Sequence, residues 1–364
     1  MVDYNEQIRQ LEEELRKTKY NKRTQHHIGL VKAKIARLKE KQETRRRAAK
    51  KGEGYAVKRS GDATVLILGF PSVGKSTLLN ALTNAKSDIG HYAFTTLKVI
   101  PGTLMYNYAK IQLLDVPGIV KGASDGTGRG KEVLSVMRNA DMALILVEVN
   151  HPGHLPVILE EVYNTNIRLN QHRPDVRIRK TARDGIRIGR TVRTIMRDET
   201  IKGILKEFKI NNAEVLIREK INEDQLIDII EDNKVYMPAI SVITKADLVS
   251  KEKAEEVRKK VRADIVVSAE KNQGIDELKQ SIFDRLGFIR IYLKEPGKDA
   301  DMVEPLIMHL NCTIQDVCNK LHKDFISKFK FVRIWGPSSR FPGQKLLSLK
   351  HVLRDTDVLE IHIR

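Results

Sequence analysis

The sequence predicts an α/β protein in which buried parallel strands alternate with helices. Three short apolar runs have the composition of buried strands, at residues 63–68, 143–149 and 239–243. The first run leads directly into a glycine-rich loop, and a leucine-containing segment of helical spacing follows at 77–82. A strand, a loop and a helix in immediate succession are typical of α/β domains.

Composition places the chain among soluble globular proteins. Its 364 residues suggest two or three domains, and 41% of them are hydrophobic, enough for a sizeable core. No apolar stretch approaches the length of a membrane helix, and the N-terminus lacks the pattern of a secretion signal. We therefore expect a cytoplasmic protein that does not bind a membrane. With only two cysteines, Cys312 and Cys318, a disulfide framework is excluded.

Charge is the strongest compositional signal. The formal net charge is +18 and the pI is about 9.7. Such an excess of positive charge attracts polyanions at long range. The sequence therefore favours RNA as a partner over DNA or a membrane surface.

The N-terminal segment 3–50 predicts an antiparallel helical hairpin. Its apolar residues form two stripes of helical spacing, separated by the polar stretch 18–27. The stripes consist of Tyr4, Ile8, Leu11 and Leu15, and of Ile28, Val31, Ile35 and Leu38. Basic residues crowd the end of the hairpin, among them Arg45, Arg46 and Arg47. This end is either a solvated helix surface or a basic arm that contacts RNA phosphates.

The loop after the first strand fits the pattern G-x-x-x-x-G-K-[ST]. We predict that it binds nucleotide phosphates through Gly69, Phe70, Pro71, Ser72, Val73, Gly74, Lys75, Ser76 and Thr77. Backbone N–H groups at the start of the helix point at an anion, and the glycines let the backbone close around it. Lys75 adds a positive charge, and the Ser76 hydroxyl is a ligand for Mg²⁺. The alternative is a chance glycine-rich turn, which would not need the flanking strand and helix.

A second strand-like run at 110–114 delivers Asp115 to the region of the phosphate loop. A carboxylate there can hold Mg²⁺ through water, and the Gly118 amide is placed to meet a γ-phosphate. The following loop, 119–131, is rich in glycine, so ordering it requires a bound ligand or partner. The plainer alternative is an ordinary flexible surface loop.

The strand at 239–243 ends in residues that can recognise guanine. Asp247 can accept hydrogen bonds from the N1 and N2 donors of guanine, which adenine lacks. The stem of Lys245 would cover the base, and the amide of Ala269, which follows Ser268, would meet the base carbonyl. The T-K-x-D pattern from Thr244 is weak alone, but its order and spacing after the phosphate loop make it strong.

A further segment is inserted before this base-recognition loop. About 90 residues separate the two strands, where a doubly wound crossover needs about a third of that length. We predict a small domain of strand, helix, strand and helix at 172–235. Its arginines have few acids between them, and we assign RNA contact to Arg183, Arg187, Arg190 and Arg193. Aromatic residues are scarce there, so phosphate contacts should dominate over base stacking, unless the run is merely a solvated surface.

Residues 289–364 contain strand-like runs on both sides of one helix. Thr313 and Asp316 have the spacing of a capping box before that helix. The segment also holds residue types that can bind zinc, namely His309, Cys312, Cys318 and His322. Cysteine is more often a small buried hydrophobe, so we predict no zinc site.

These residues resemble GTPases of the translation-factor-related class, and more narrowly the Obg-like branch. The loop 92–97, the turn 115–119 and the glycine-rich run 122–130 are similar to the switch regions of that branch. The hairpin, the insertion and the C-terminal segment together resemble the developmentally regulated GTP-binding proteins, the DRG subgroup. The C-terminal segment is similar to the TGS domain, a small β-grasp module whose implied use is docking to RNA or protein.

The resemblance implies a Ras-like doubly wound P-loop GTPase domain with three additions. The expected parts are a hairpin at 1–50, the GTPase domain at 60–171 and 236–288, the inserted α/β domain at 172–235 and the TGS-like domain at 289–364. Thr96 would close on Mg²⁺ and the γ-phosphate, so that Ser76, Thr96 and Asp115 hold the metal, the last through water.

Three residues depart from patterns familiar in related enzymes. Ile119 stands where Ras-type enzymes carry a glutamine, and its side chain cannot orient water, so intrinsic hydrolysis should be slow. Ser72 stands where potassium-using relatives generally carry Asn, although a hydroxyl can also help ligate K⁺. Thr244 replaces the more usual Asn, which should cost some of the link between the base loop and the phosphate loop.

The expected function is that of a GTP-hydrolysing switch, with GTP and GDP as ligands and the ribosome or RNA as partner. Lys75, Thr96 and Gly118 would act in catalysis, and the water-orienting group would come from a monovalent cation, a partner or the ribosome. A regulatory partner protein is typical of DRG relatives, and we expect a monomer off the ribosome. The alternatives are an RNA-binding scaffold with a structural nucleotide and, less favoured, a P-loop ATPase or kinase.

Overall fold

The computed structural model describes residues 4–48, 61–83, 100–115, 137, 139–193, 196–322 and 324–363. The helices of this part are α1 Tyr4–Lys17, α2 Gln25–Ala48, α3 Lys75–Thr83, α4 His154–Asn164, α5 Asp198–Glu207, α6 Glu223–Glu231, α7 Lys251–Val261, α8 Ile275–Leu286, α9 Ile314–Leu321 and α10 Asp324–Ser327. None of these described helices is long and apolar enough to cross a membrane.

The strands in the described part of the chain form four sheets. They are β1 Ala63–Gly69, β2 Ile100–Tyr106, β3 Ala109–Asp115, β4 Met142–Glu148, β5 Ile167–Leu169, β6 Val176–Lys180, β7 Ile186–Arg190, β8 Ala213–Ile217, β9 Val235–Met237, β10 Ala239–Thr244, β11 Ile265–Val266, β12 Phe288–Lys294, β13 Ala300–His309, β14 Phe329–Trp335, β15 Gln344–Leu346 and β16 Asp357–Ile363. The chain divides into two compact units, Met1–Gly54 with Asn166–Tyr236, and Tyr55–Thr165 with Met237–Arg364.

The larger unit is built on a six-stranded sheet with the order β11-β10-β4-β1-β3-β2. All neighbouring strands in it are parallel except β2, which is an antiparallel edge strand. Every residue of β1 is buried, as expected for an apolar run between two neighbours with both faces covered. The carboxyl ends of the parallel strands meet at one edge, where ligands bind in open α/β sheets. The predicted parallel sheet is confirmed.

The C-terminal part of the same unit is a five-stranded sheet with the order β13-β12-β16-β14-β15, packed on α9. The predicted capping box is confirmed, because Thr313 accepts from the Asp316 amide and Asp316 accepts from the Thr313 amide. Cys312 and Cys318 both lie in the apolar core of this sheet. Burial there raises the pKa of the Cys312 thiol to about 11.

The insertion, in the smaller unit, contains a three-stranded sheet with the order β6-β8-β7. Strand β7, helix α5, strand β8 and helix α6 match the predicted order of strand, helix, strand and helix. The sequence analysis missed β6, which pairs antiparallel with β8 and contributes Val176 and Ile178 to the core. The alternation of apolar and basic residues over this segment is typical of a strand. The sequence analysis considered the basic residues only for their positive charge and did not use the alternation.

The predicted helical hairpin is confirmed, and its second helix has a further role. Ile8 of α1 packs against Val31 and Ile35 of α2. On another side of α2, Ala33 belongs to the core of the insertion. Two ion pairs join the same elements, Arg37 with Glu207 at 3.0 Å and Lys32 with Asp224 at 2.7 Å. The hairpin and the insertion, which the sequence analysis treated as separate domains, therefore share one compact unit.

Candidate nucleotide-binding site

The predicted phosphate loop connects the end of β1 to the start of α3. Ser72 and Gly74 adopt left-handed backbone angles, with φ of 62° and 95°. At Gly69 a Cβ atom would lie 2.9 Å from the carbonyl oxygen of Leu146, so only glycine fits there. The Lys75 ammonium donates to the carbonyl oxygens of Gly69 at 3.1 Å and Phe70 at 3.0 Å. The loop is thus closed over its own lysine at the N-terminus of a helix, the arrangement that binds phosphate.

The remaining residues of the loop divide between core and solvent. Val73 is buried, whereas Pro71, Ser72, Ser76 and Thr77 are exposed. The exposed hydroxyl groups can therefore reach a ligand, while the Val73 side chain fixes the loop to the sheet.

Asp115 lies at the carboxyl end of β3, beside the phosphate loop. It is only 5% exposed, and its Oδ1 atom has no hydrogen-bond partner among the described residues. Its Oδ2 atom lies 3.5 Å from the Ser76 hydroxyl. Burial raises the pKa of Asp115, and the nearby Lys75 and the Ser76 hydroxyl oppose that rise. Burial likewise lowers the pKa of Lys75, against the attraction of Asp115.

A buried carboxylate with one unpartnered oxygen, whose other oxygen lies beside a hydroxyl group, fits a hard cation. Mg²⁺ prefers oxygen ligands and keeps several of its waters, which can donate hydrogen bonds to a carboxylate oxygen. The donor set at Ser76 and Asp115 therefore suits the predicted metal. Thr96, the third predicted ligand, lies outside the described residues.

Asp115→Asn is expected to stabilise the nucleotide-free protein by about 1 kcal/mol at pH 7, because it removes a buried charge that lacks a full set of partners. The folded-state pKa of Asp115 lies above its ordinary value of 3.8. The ionised carboxylate therefore destabilises the folded protein at a pH above the folded pKa. This cost disappears at a pH below 3.8, where the group is protonated in both the folded and the unfolded state. The gain should therefore shrink as the pH falls through this range. Denaturant unfolding of both proteins between pH 7 and pH 4 measures it.

The same substitution should reduce the difference in GTP affinity between buffers with Mg²⁺ and with EDTA. Equal stability of variant and wild type at pH 7, together with unchanged Mg²⁺ dependence, would show that Asp115 is not the metal-facing carboxylate.

The predicted base loop follows β10. Lys245 adopts a left-handed conformation with φ of 58° and begins a short 3₁₀ helix, Ala246–Leu248, that contains Asp247. The buried Ser268, which follows β11, donates its hydroxyl proton to Asp247 Oδ1 at 2.5 Å. This hydrogen bond is the main reason that the pKa of Asp247 is lowered. Asp247 is therefore a charged acceptor held in place by Ser268, next to Ala269.

Thr244 links the base loop to the phosphate loop. The expectation that threonine costs some of this link relative to the usual Asn stays a prediction. The Thr244 hydroxyl, which is buried, lies 2.7 Å from the Val73 carbonyl oxygen and donates to it. The Val147 carbonyl is a second, longer acceptor at 3.3 Å. The two loops are thus joined directly, because a β-branched hydroxyl at the end of β10 is close enough to the phosphate loop.

Thr244→Val keeps the shape of the side chain and removes this donor. We expect a loss of about 1 kcal/mol in unfolding free energy and a several-fold faster release of GDP, because the two loops are no longer tied. Release of a fluorescent GDP analogue measures the second effect. Thr165→Val is the matched control, since the buried Thr165 hydroxyl donates to the Val162 carbonyl at its own helix end, at 2.6 Å, and has no other partner among the described residues. Equal release rates in both variants would contradict the link.

Two residues near the site were missed by the sequence analysis. Glu148 ends β4, and its Oε2 atom lies 3.4 Å from the Lys245 ammonium, so it holds the lysine stem that should cover the base. The ring of His154 stacks on Phe70 with centroids 4.0 Å apart. Glu148 could have been found from its position, since residues at the carboxyl ends of parallel strands meet at the ligand edge. Nothing in the sequence pairs His154 with Phe70.

Several predicted residues belong to segments outside the described part of the chain. Gly118 and Ile119 lie outside the described residues, as do the loop 92–97 and the glycine-rich run 122–130. The backbone of residues 45–47 belongs to the last turns of α2, while the side chains of Arg45, Arg46 and Arg47 lie outside the described part.

The predicted RNA-contact arginines of the insertion occupy different environments. Arg187 is exposed on β7, with Asp184 at 3.6 Å. Arg190, at the end of β7, forms an ion pair with Asp198 at the start of α5. Arg183 lies between β6 and β7, and Arg193 follows β7; both are exposed.

Matches to known families together cover residues 64–179 and 183–363. Residues 64–179 match the family described as 50S ribosome-binding GTPase, and residues 183–288 match the C-terminal region of the same domain. Residues 289–363 match the TGS domain. The described fold agrees with these matches, since a P-loop domain precedes a separate five-stranded sheet.

Relatives match this chain over nearly their whole length. The chain is 51% identical to an uncharacterized GTP-binding protein of Methanocaldococcus jannaschii, covering 100% of this chain and 94% of the relative. It is 40% identical to developmentally-regulated GTP-binding protein 1 of Xenopus laevis, with 97% of each chain covered. It is 39% identical to ribosome-interacting GTPase 1 of Saccharomyces cerevisiae, with 98% of each covered. The chain therefore belongs to the developmentally regulated GTP-binding protein family, with a P-loop GTPase domain and a C-terminal TGS domain.

Proposed function

We propose that this protein is a GTP-hydrolysing switch that acts on the ribosome through RNA contacts. The observation that carries the proposal is the connected site: Thr244 ties the base loop to the phosphate loop, and Ser268 fixes Asp247 beside them. A phosphate loop alone would accept any nucleoside triphosphate. A fixed carboxylate linked to it favours guanine, because its two acceptor oxygens match the N1 and N2 donors.

The residues of the site contact different parts of the bound nucleotide and its metal. Lys75 exchanges its contacts with two loop carbonyls for contacts with the β- and γ-phosphates, and the amides at the start of α3 complete the cradle. Ser76 and Asp115 would hold Mg²⁺ together with Thr96. When bound, this ion neutralises charge that develops on the phosphates. Glu148 keeps the Lys245 stem in position against the base.

Hydrolysis is expected to be slow without help. Ile119 cannot orient a water molecule, and the Gly118 amide supplies only a contact to the γ-phosphate. Ser72 is exposed and has a left-handed backbone conformation in the phosphate loop. A K⁺ ion bound at this place could supply additional positive charge. A monovalent cation, a regulatory partner protein or the ribosome would thus set the rate.

The ribosome is proposed as partner on three grounds. The yeast relative is named a ribosome-interacting GTPase. The chain carries a net charge of +18, which suits a polyanion. The insertion also displays exposed arginines in its sheet and loops. We propose a cytoplasmic monomer that binds the ribosome in its GTP state.

Two measurements test the proposal. Ribosome co-sedimentation should be stronger with a non-hydrolysable GTP analogue than with GDP. Multiple-turnover GTP hydrolysis, in potassium and in sodium, should rise when ribosomes are added. Equal sedimentation with the GTP analogue and with GDP, together with no GTP turnover under any condition, would instead identify an RNA-binding scaffold with a structural nucleotide. Equal competition by ATP and GTP would contradict the guanine site.

A further inference from the structure

The three-stranded sheet of the insertion has two chemically different faces. Residues alternate between the faces of a strand, so the cross-strand register sorts them. Val176, Ile178 and Ile188 pack with the buried Val215 and Ile217 against the helices. The opposite face, here called the outer face, carries Arg177, Arg179 and Arg187, with Glu214, Leu216 and Gly189 between them.

The outer face is strongly basic. Arg177 and Arg179 are exposed on β6, and neither forms an ion pair with any residue in the described part of the chain. Arg187 is 68% exposed on β7 and has only a long, exposed contact to Asp184 at 3.6 Å. Glu214, which lies across from both Arg179 and Arg187 on the central strand, is the single acid among these six residues. At least two arginine charges are thus not balanced on this face.

The strand register also explains why the side chains of Arg190 and Arg187 lie in different environments. Arg190 pairs with Ile217, a core-facing position, and so points to the helical side, where it binds Asp198. Arg187 pairs with Glu214 and points to the outer side. The basic run of the sequence is therefore split by the sheet into arginines that hold the domain together and arginines that face solvent.

We propose that this outer face binds the phosphate backbone of duplex RNA. Arg177 and Arg179 are about 7 Å apart along β6, and Arg187 lies about 10 Å away across two strand spacings, so each can contact a separate phosphate. The face has no aromatic residue on which an unstacked base could lie, whereas base stacking is the usual means of holding single strands. Gly189 has no side chain and Leu216 is half-buried, so these two residues protrude little between the arginines of the outer face. The inference rests on the proposed action through RNA.

The test compares two variants of the full chain that lose the same charge. The outer-face variant is Arg177→Gln with Arg179→Gln. The control variant is Lys202→Gln with Lys206→Gln, two exposed residues on α5, at the other side of the sheet. All four side chains are exposed, so both variants should unfold at the wild-type temperature.

Binding of a short RNA duplex is measured by fluorescence anisotropy between about 50 and 200 mM salt. The slope of log K against log salt should fall by about two in the outer-face variant, one for each lost phosphate contact, and stay at the wild-type value in the control. The isolated strand of the duplex should bind more weakly than the duplex. Equal slopes in the two variants, or tighter binding of the single strand, would overturn the proposal.

Nucleotide-dependent ribosome co-sedimentation of the wild-type protein is measured in parallel. If co-sedimentation depends on the nucleotide while the outer-face variant keeps the wild-type salt slope on duplex RNA, this inference is wrong and the proposed switch stands. If this dependence is absent while the slope falls as expected, the face binds RNA and the proposed switch is wrong.

Discussion

Asp247→Asn is expected to lower GTP affinity by a factor on the order of 10⁴ and to create binding of xanthosine triphosphate. The carboxylate of Asp247 offers two acceptor oxygens to the two donors of guanine, and an amide places a donor where one acceptor was. Xanthine carries a carbonyl where guanine has its amino group, so the amide suits it. Competition titration with GTP, GDP and xanthosine triphosphate measures the change.

Two controls separate base recognition from damage to the loop. Ser268→Ala removes the hydroxyl that holds Asp247 at 2.5 Å, and it should weaken GTP by about tenfold without a gain for xanthine. Asp276→Asn changes an Asp that is 91% exposed, and it should have no effect. Unchanged GTP affinity in Asp247→Asn would show that the base lies elsewhere.

The parts of the site that the sequence predicts are those determined by local chemistry. The phosphate loop needs Gly69 and Gly74 because a Cβ atom at the first would meet the Leu146 carbonyl and the second has a φ of 95°. Asp115 was predicted as a ligand because it ends a strand-like run near the phosphate loop, and Asp247 because its carboxylate in the T-K-x-D pattern matches the donors of guanine. Such features depend on neighbours in sequence, and the structure places them as the pattern indicates.

The missed features depend on contacts between distant residues. The hydrogen bond from Thr244 to Val73 joins residues 171 positions apart, and only the register of β10 beside β4 brings them together. The role of Ala33 in the core of the insertion is similarly hidden, because a small residue on a helix does not indicate its partner. Arg187 and Arg190 look equivalent in sequence, yet the sheet directs them to opposite sides.

Lys75→Met is expected to weaken GTP by about 100-fold and GDP by less, because charge-assisted hydrogen bonds to phosphate contribute roughly 1.5–3 kcal/mol. The Lys75 ammonium is partly buried, and its hydrogen-bond partners among the described residues are two neutral carbonyls, apart from its attraction to Asp115. A triphosphate offers it stronger, charged acceptors. Lys253→Met, on the exposed surface of α7, removes the same charge away from the site and should leave both affinities unchanged.

The same variant tests whether Lys75 and Asp115 act as a pair. Loss of the ammonium removes the attraction that limits the rise in the pKa of Asp115, so the nucleotide-free Lys75→Met protein should lose stability at pH 7. Addition of Asp115→Asn should restore that stability while GTP binding stays weak, because the orphaned buried charge is then gone. Strictly additive unfolding free energies across the four proteins would mean that the two side chains do not interact. A coupled result would show that, before any ligand arrives, the lysine that receives phosphate also supports the carboxylate that receives the metal.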